Sequence, residues 1–242
     1  MLKSHYRDIW ENQDKHWWYL GMNAINKSLL DTYLPKRKGL KILDAGCGPG
    51  ATLPLLQNYG DVIGVDLSEE ALKYARRLGR VRKGDITKLD FKTGSFDLVV
   101  CMDVLYHTWV EEESKALNEF SRVLRKGGIL LVREPAYNWM RGNEDRGSLT
   151  ARRFSREDLK KKLKKAKFGV LRISYANFFL FPLVLLVRVM TTLGVRKGTS
   201  DMVVPSQVIN SLFFSALKFE GFLVKYITLP FGSSLVCVAR KK

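Results

Sequence analysis

Glycine and aspartate residues at positions 44–50 are the most chemically suggestive part of this 242-residue chain. Gly46, Gly48 and Gly50 follow a short apolar run that ends at Asp44. Because glycine lacks a Cβ atom, its backbone can bend tightly and approach a ligand closely. Such a turn after a first strand is where open α/β sheets bind nucleotide-like ligands. The pattern therefore predicts a nucleotide-type site at this turn.

A second acid, Asp66, ends the next apolar run and fits a carboxylate that grips ribose hydroxyls. The glycine spacing also satisfies the dinucleotide fingerprint, so a nicotinamide dehydrogenase and a methyl-donor enzyme both remain open. Asp44 favours the methyl donor, because a carboxylate there can hold the amino-acid end of a cationic ligand. Pro49 favours it too, since proline removes an N–H donor that a pyrophosphate would use.

The elements that must position these residues alternate between strand and helix patterns. This alternation is typical of a doubly wound sheet, and we expect a Rossmann-like α/β fold with seven mostly parallel strands and helices on both faces. The predicted strands are 41–43, 61–66, 80–83, 96–101, 129–132, 170–175 and 234–239. The predicted helices are 23–34, 52–59, 68–78, 111–124, 155–167 and 205–219, and 221–227 is interpreted as strand or loop.

The domain organisation predicted from these patterns is one α/β domain, 40–242, preceded by a helical lid or lead-in at 1–39. An apolar helical insertion is expected at about 176–220, before the last strand. The aromatic residues at 1–20 fit either a helix packed on the domain or a flap over a ligand.

The composition limits the partners and the compartment. A net charge of +17 favours an anionic partner, or is simply a solvated, soluble surface. The three scattered cysteines favour a reducing compartment and lack metal-ligand spacing, so we expect no metal site. The N-terminus lacks signal-peptide features, which favours a cytoplasmic location. The most apolar run, 178–190, is shorter than the roughly 20 residues that span a bilayer.

Further motifs follow the glycine turn in order. They are Gly84-Asp85-Ile86, Ser95-Phe96-Asp97-Leu98-Val99, Asp103-Val104-Leu105-Tyr106-His107 and the segment 119–128. Over about residues 40–135 the chain resembles the class I S-adenosylmethionine-dependent methyltransferases. It is most similar to the branch that includes ubiquinone and menaquinone biosynthesis enzymes. The resemblance implies S-adenosylmethionine as the methyl donor.

The resemblance also implies the residues that contact this donor. They lie in the glycine turn, after the second, third and fourth strands, and in the lead-in: Asp44, Gly46, Cys47, Gly48, Gly50, Asp66, Leu67, Asp85, Ile86, Cys101, Met102 and Trp18. Asp66 would bind the ribose hydroxyls and Asp85 the adenine amine. Similar lead-ins place arginines near the donor carboxylate where this chain has Met22 and Asn23, so Arg7 or the backbone of the turn is expected to serve instead.

Methyl transfer needs alignment and exclusion of water, and it needs a base only where the acceptor must lose a proton. The candidate bases are His107, Tyr106 and Glu134, with Tyr137 and His16 near the same mouth. The alternative for His107 is a packed or capping histidine.

The apolar insertion is the best sequence clue to the acceptor. Apolar residues at 178–187 are flanked by Arg188, Arg196 and Lys197, and the helix at 160–167 is rich in lysine. The pattern favours a small or hydrophobic, lipid or lipid-linked acceptor and a peripheral contact with an anionic membrane. The insertion could equally complete the core or a dimer interface, which leaves the oligomeric state open.

RNA or protein methylation is less favoured, since no Asn-Pro-Pro-Tyr-type site follows the fourth strand. A silent donor-binding module is the non-enzyme alternative.

Overall fold

The computed structural model of the protein describes residues 3–36, 39–141, 145, 148–193 and 203–242. Its strands form one seven-stranded sheet. They are β1 (Leu40–Ala45), β2 (Gly60–Asp66), β3 (Val81–Lys83), β4 (Phe96–Met102), β5 (Leu124–Pro135), β6 (Phe168–Ala176) and β7 (Ser234–Lys241).

The sheet has the order β3-β2-β1-β4-β5-β7-β6. Strand β7 runs antiparallel to both of its neighbours, β5 and β6, and the other pairings are parallel. This arrangement confirms the predicted Rossmann-like, mostly parallel sheet. Because the order reverses between β1 and β4, the crevice at their carboxyl ends is the expected place for a ligand.

Helices cover both faces of the sheet. They are α1 (Lys3–Asn12), α2 (Trp17–Tyr33), α3 (Leu53–Leu56), α4 (Glu69–Ala75), α5 (Glu113–Val123), α6 (Arg156–Lys165), α7 (Phe181–Thr192) and α8 (Gln207–Leu223), with a short 3-10 helix at Asn138–Met140. Ser68 and Ser155 cap α4 and α6 by accepting from Ala71 N–H and Asp158 N–H. These caps begin both helices where the sequence pattern predicted.

The hydrophobic core lies on the two faces of the central strands. Every residue of β4 is buried, as expected of a central parallel strand. Side chains from α5 and α6 pack in one cluster with one face of the sheet, and those from α2 and α8 pack in another with the opposite face. The core thus fixes the strand ends that carry the glycine turn.

Helices α2 and α8 approach closely although they are far apart in sequence. A Cβ atom on Gly21 would lie 2.4 Å from Leu217 Cδ1, and one on Gly221 would lie 3.2 Å from Ile25 Cα. The interpretation of 221–227 as strand or loop is wrong up to Leu223, because this segment continues α8 along its buried face. The lead-in therefore packs on the apolar segment, and the proposed domain boundary at 39 stays an interpretation.

One further element differs from the predictions. The helix expected at 52–59 is only the four residues of α3, because the chain turns into β2 at Gly60. In the segment after β5, the ring of Tyr137 packs on that of Tyr175, with centroids 4.9 Å apart. Arg196 and Lys197, singled out in the sequence, lie outside the described residues.

Candidate functional site

A cavity of about 780 Å³ opens at the carboxyl ends of β1, β4 and β5. Its volume is within the range of roughly 300–1,000 Å³ that is typical of ligand sites. One wall is the glycine turn and the end of β4, the second is formed by α1 and the start of α2, and the third comes from α7. The cavity thus occupies the point where the strand order reverses.

The glycine turn has backbone angles that favour glycine. Gly46, Gly48 and Gly50 have φ values of +82°, +52° and +99°. A Cβ atom on Gly46 would lie 2.4 Å from Val104 Cγ2, so this glycine lets β1 and the loop after β4 approach each other. A Cβ atom on Gly48 would meet nothing within 4 Å, and Gly48 lines the cavity. The turn therefore leaves open space for a ligand.

Asp44 is a buried carboxyl group behind this turn, only 1% exposed. Its Oδ2 accepts a hydrogen bond of 2.6 Å from Thr52 Oγ1, whereas its Oδ1 has no partner among the described residues. Burial raises the pKa of Asp44 to about 7, against the hydrogen bond from Thr52, which lowers it. A buried acceptor without a partner is costly, so this oxygen fits a ligand donor such as an ammonium group.

Asp66 ties the end of β2 to the turn. Its Oδ2 accepts from Gly48 N–H at 2.9 Å and its Oδ1 from Ser68 N–H at 2.8 Å. Burial raises the pKa of Asp66, and the two backbone hydrogen bonds oppose that rise. Since Asp66 also lines the cavity, its carboxylate is held beside the space where ribose hydroxyls are expected.

The other residues predicted to contact a donor separate into two groups. Three of them, Cys47, Met102 and Trp18, line the cavity with Gly46 and Gly48. Those outside the lining are Gly50, Leu67, Asp85, Ile86 and Cys101.

The residues outside the lining have other contacts. Cys101 is fully buried in the core, because its side chain points to the opposite face of β4 from that of Met102. Asp85 accepts from the backbone and hydroxyl of Thr87 at 2.8 Å each. A Cβ atom on Gly50 would meet Leu78 Cδ1 at 3.0 Å.

The N-terminal wall is built from α1 and α2. Trp10 stacks on Tyr74 of α4, with ring centroids 5.5 Å apart, and fastens α1 over the turn. His16 caps α2 by accepting from Trp18 N–H. Asn23 lines the cavity and donates to Ala51 O at 3.0 Å. Arg7 is an exposed side chain outside the lining, so the structure gives no support to its expected role at the donor carboxylate.

Arg133 is a cavity residue that the sequence analysis missed. It ends the apolar run of β5, and its guanidinium donates to Asp103 Oδ2 from Nε at 2.9 Å and from Nη2 at 2.6 Å. The same guanidinium lies 4.9 Å from the centroid of the Trp18 ring. A single arginine after four buried apolar residues was the available signal. The pair connects the ends of β4 and β5 with the N-terminal wall.

The three predicted bases occupy different environments. His107 and Tyr106 line the cavity, whereas Glu134 does not. Burial lowers the pKa of His107 to about 4, against backbone hydrogen bonds at Ser148 and Leu149. Burial raises the pKa of Tyr106, helped by the nearby carboxylates of Asp103 and Glu134. His107 is therefore neutral at physiological pH, and Tyr106 keeps its proton.

Glu134 holds the loop after β4 in place. Its carboxylate accepts hydrogen bonds from the N–H groups of Val104, Leu105 and Tyr106 at 3.2, 2.9 and 3.2 Å. The side chain is fully buried, and that burial raises its pKa. Since both oxygens are used by the backbone, Glu134 fits a positioning role for Tyr106 and His107, and we do not retain it as a base.

The end of the cavity away from the glycine turn combines an apolar wall with charged groups. Leu183, Val184 and Val187 of α7 form the apolar part. Asp145, Arg153 and Arg188 line the same end, and sequence analysis missed the first two. The sequence signalled these two residues only by their position between β5 and α6. They approach α7 because α7, which is distant in sequence, folds back beside them.

Comparisons with known proteins agree with this site. Residues 43–132 match the family model described as a methyltransferase domain. The chain is 38% identical over 117 residues to a malonyl-[acyl-carrier protein] O-methyltransferase from Erwinia billingiae. This alignment covers 47% of this chain and 46% of that protein. It is 34% identical over 104 residues to a phosphatidylethanolamine N-methyltransferase from Cereibacter sphaeroides. This alignment covers 39% of this chain and 50% of that protein.

A solved structure shares the fold over most of the chain. The S-adenosylmethionine-dependent methyltransferase from Mesorhizobium loti aligns with a TM-score of 0.58 at 17% identity. The alignment covers 88% of this chain and 96% of that one.

The sheet order is that of the Rossmann-like methyltransferase fold, and the glycine turn and the two buried aspartates fit S-adenosylmethionine as the cofactor. At residues 43–132 the chain is thus similar to the methyltransferase domain family. The ubiquinone and menaquinone branch stays a prediction. The chain spans about half the length of the curated relatives named above.

Proposed function

We propose that this chain transfers the methyl group of S-adenosylmethionine to an apolar or amphiphilic acceptor, such as a lipid or a lipid-linked molecule. The observation that carries the proposal is a single cavity that joins the glycine turn to the apolar wall of α7. A polar acceptor such as an RNA base would leave Leu183, Val184 and Val187 without apolar partners. The two relatives named above act, by their names, on malonyl-[acyl-carrier protein] and on phosphatidylethanolamine, and the second of these acceptors is consistent with this class.

The donor end of the cavity fits S-adenosylmethionine. When bound, this cofactor would supply a methyl group activated by a sulfonium centre. Asp44 would hold its ammonium group through the unpartnered Oδ1, and Asp66 would hold the ribose hydroxyls. Met102 and the open space at Gly48 complete this end.

The remaining residues align the acceptor and exclude water. Trp17 and Trp18 close the N-terminal side, and the backbone of Trp17 is fixed because its amide N–H donates to Asn210 Oδ1 of α8 at 2.9 Å. Because the donor is already activated, alignment of this kind supplies most of the rate. Where the acceptor must lose a proton, neutral His107 of the cavity lining can accept it, and its pKa of about 4 makes it a weak base.

The outer face of α7 and α8 supports an encounter with a membrane surface. Leu186, Val208 and Leu212 are 55%, 79% and 65% exposed. The only acidic residue of these two helices, Glu220, is fully buried, and Lys218 lies on the exposed side. An apolar face without exposed carboxylates suits an anionic bilayer. Among the described residues, each helix is too short or too polar to cross a bilayer.

The location that follows from the proposal is the cytoplasmic surface of a membrane, held peripherally. Leu183 is both 43% exposed and part of the cavity wall. An acceptor could therefore move from the bilayer surface into the cavity along apolar side chains. A free RNA or protein acceptor would not need this continuity.

The function is tested by transfer of labelled methyl from S-adenosylmethionine to the lipid, RNA and protein fractions of a cell extract. We expect label in the organic-soluble fraction. Label confined to RNA or protein would contradict the acceptor class, and absence of donor binding in calorimetry would contradict the function itself.

The membrane encounter is tested by co-sedimentation with vesicles of phosphatidylglycerol and phosphatidylcholine. Burying an exposed leucine contributes about 1.5–3 kcal/mol. Leu212→Glu should therefore reduce vesicle binding by about tenfold or more. The matched control is Thr93→Glu, which adds the same charge to an exposed loop at the amino end of β4. Equal losses in both variants would contradict the assignment of this face.

A further inference from the structure

The cluster of Asp145, Arg153 and Arg188 places charged groups inside a largely apolar cavity. Asp145 and Arg153 are each 8% exposed, so both are almost removed from solvent. Burying charges costs several kcal/mol per ion unless partners compensate. A cluster of this kind on a ligand-facing wall calls for a reason beyond stability.

Arg153 is held rigidly by its contacts. Its Nε donates to Asp145 Oδ1 at 3.0 Å and its Nη2 to Asp145 Oδ2 at 3.2 Å, in a two-pronged arrangement. Its Nη1 donates to Ala136 O at 3.3 Å, just after β5. A guanidinium has five N–H donors, and these contacts use three of them. Arg153 can therefore still donate to another anion from a fixed position.

Arg188 reaches the same cluster from α7. Its Nη1 donates to Met140 O at 2.7 Å and lies 3.6 Å from Asp145 Oδ2. The described lining at this end thus brings together two guanidinium groups around one carboxylate. Arginine is the side chain best suited to bind carboxylate or phosphate through paired donors.

Two hydroxyl groups and an apolar strip complete the surroundings. Ser148 Oγ and Thr150 Oγ1 lie 2.9 Å apart, and both residues line the cavity. On α7, Val184 lies four residues before Arg188 and three before Val187, so its side chain neighbours both of theirs, and all three residues line the cavity. A ligand that touches the arginines therefore also touches this apolar strip.

We propose that Arg153 and Arg188 bind an anionic group of the acceptor, a carboxylate or a phosphate, while its apolar chain lies along α7. This inference rests on the proposed function, since it names the acceptor class of the same cavity as an anionic amphiphile. The arginines set which molecules are accepted, and the glycine turn at the other end of the cavity binds the donor independently of them.

The test measures binding of three eight-carbon probes, each below its micelle concentration: octyl phosphate, octanoate and octyl glucoside. A change in tryptophan fluorescence reports binding, because Trp17, Trp18 and Trp109 line the cavity. We expect at least one anionic probe to bind about tenfold or more tightly than the neutral one. The stronger of the two anions distinguishes a phosphate headgroup from a carboxylate.

Arg188→Gln should remove most of this preference, and Arg188→Lys should keep part of it. The matched control is Arg156→Gln, which removes one positive charge from an exposed site on α6. Melting temperatures identify any variant that fails to fold. If Arg188→Gln does not fold, the anion preference of Arg188→Lys is compared with that of the wild type instead. Equal binding of all three probes, or unchanged preference in folded Arg188→Gln, would overturn the inference.

S-Adenosylmethionine binding is measured in the same variants. Normal donor binding with no anion preference would refute only this inference. Failure of the wild-type protein to bind the donor would instead refute the proposed function.

Discussion

We expect the ionisation of Asp44 to make the affinity for the donor depend on pH. Its unbound carboxyl group has a pKa of about 7, because burial outweighs the hydrogen bond from Thr52. A neutral carboxyl cannot pair with an ammonium group, so donor binding should require loss of this proton. Below pH 7 the dissociation constant should therefore rise about tenfold per pH unit, or about 1.4 kcal/mol.

The magnitude can be stated at two pH values. With a pKa of about 7, roughly 0.9 proton should be released on binding at pH 6 and roughly 0.1 at pH 8. The affinity should be about tenfold weaker at pH 6 than at pH 8. Calorimetry in two buffers of different ionisation enthalpy measures both the affinity and the released protons.

The control for this prediction is Asp44→Asn. The variant should bind more weakly at pH 8 and should lose most of the pH dependence between pH 5.5 and 8. A wild-type affinity that is flat over this window would refute the reasoning. Proton release that is equal in wild type and variant would refute it as well, since another group would then be titrating.

Three further predictions concern the fold and the lining. Gly48→Ala places a methyl group in open space at a φ of +52°; donor binding should weaken about tenfold in calorimetry, while strain lowers unfolding stability by only about 1–2 kcal/mol. Burial lowers the pKa of His107 from 6.5 to about 4. The packing of the neutral imidazole therefore contributes fully to the free energy of unfolding above pH 6.5. This contribution is lost as the pH falls toward 4, because the unfolded chain binds a proton that the folded protein does not. Urea unfolding should show a loss of about 3 kcal/mol over that window, absent in His107→Phe. Glu134→Leu leaves three backbone N–H groups without acceptors and should lower stability by about 3 kcal/mol or more, whereas an unchanged melting temperature would contradict its positioning role.

The sequence determined the sheet and the donor end of the cavity. Strand periodicity and the glycine spacing are local signals, since a buried parallel strand and a left-handed turn each restrict the residues that form them. Gly46, Gly48 and Asp66 were predicted at the ligand-facing turn, where they lie. Asp44 was expected to line it and instead lies directly behind it, with one oxygen unpartnered.

Side-chain direction at the strand ends was harder to predict. Cys101 and Met102 are neighbours in sequence, but alternation along β4 buries the first and brings only the second to the cavity. Glu134 lies at the correct edge of the sheet, yet backbone N–H groups from a different loop take up its carboxylate. Neither outcome follows from residue type alone, because each depends on the neighbouring strand or loop.

The tertiary structure alone decided the acceptor end. Arg133 pairs with Asp103 between the ends of β5 and β4, and Arg153 and Arg188 both approach Asp145 because α7 folds back over the loop before α6. Long-range contacts of this kind have no sequence period, since they depend on how whole elements dock. The amino-acid order therefore predicted a methyl-donor site at the glycine turn, and the docking of α7 and α8 on the sheet determined the shape and charge of the space beside it.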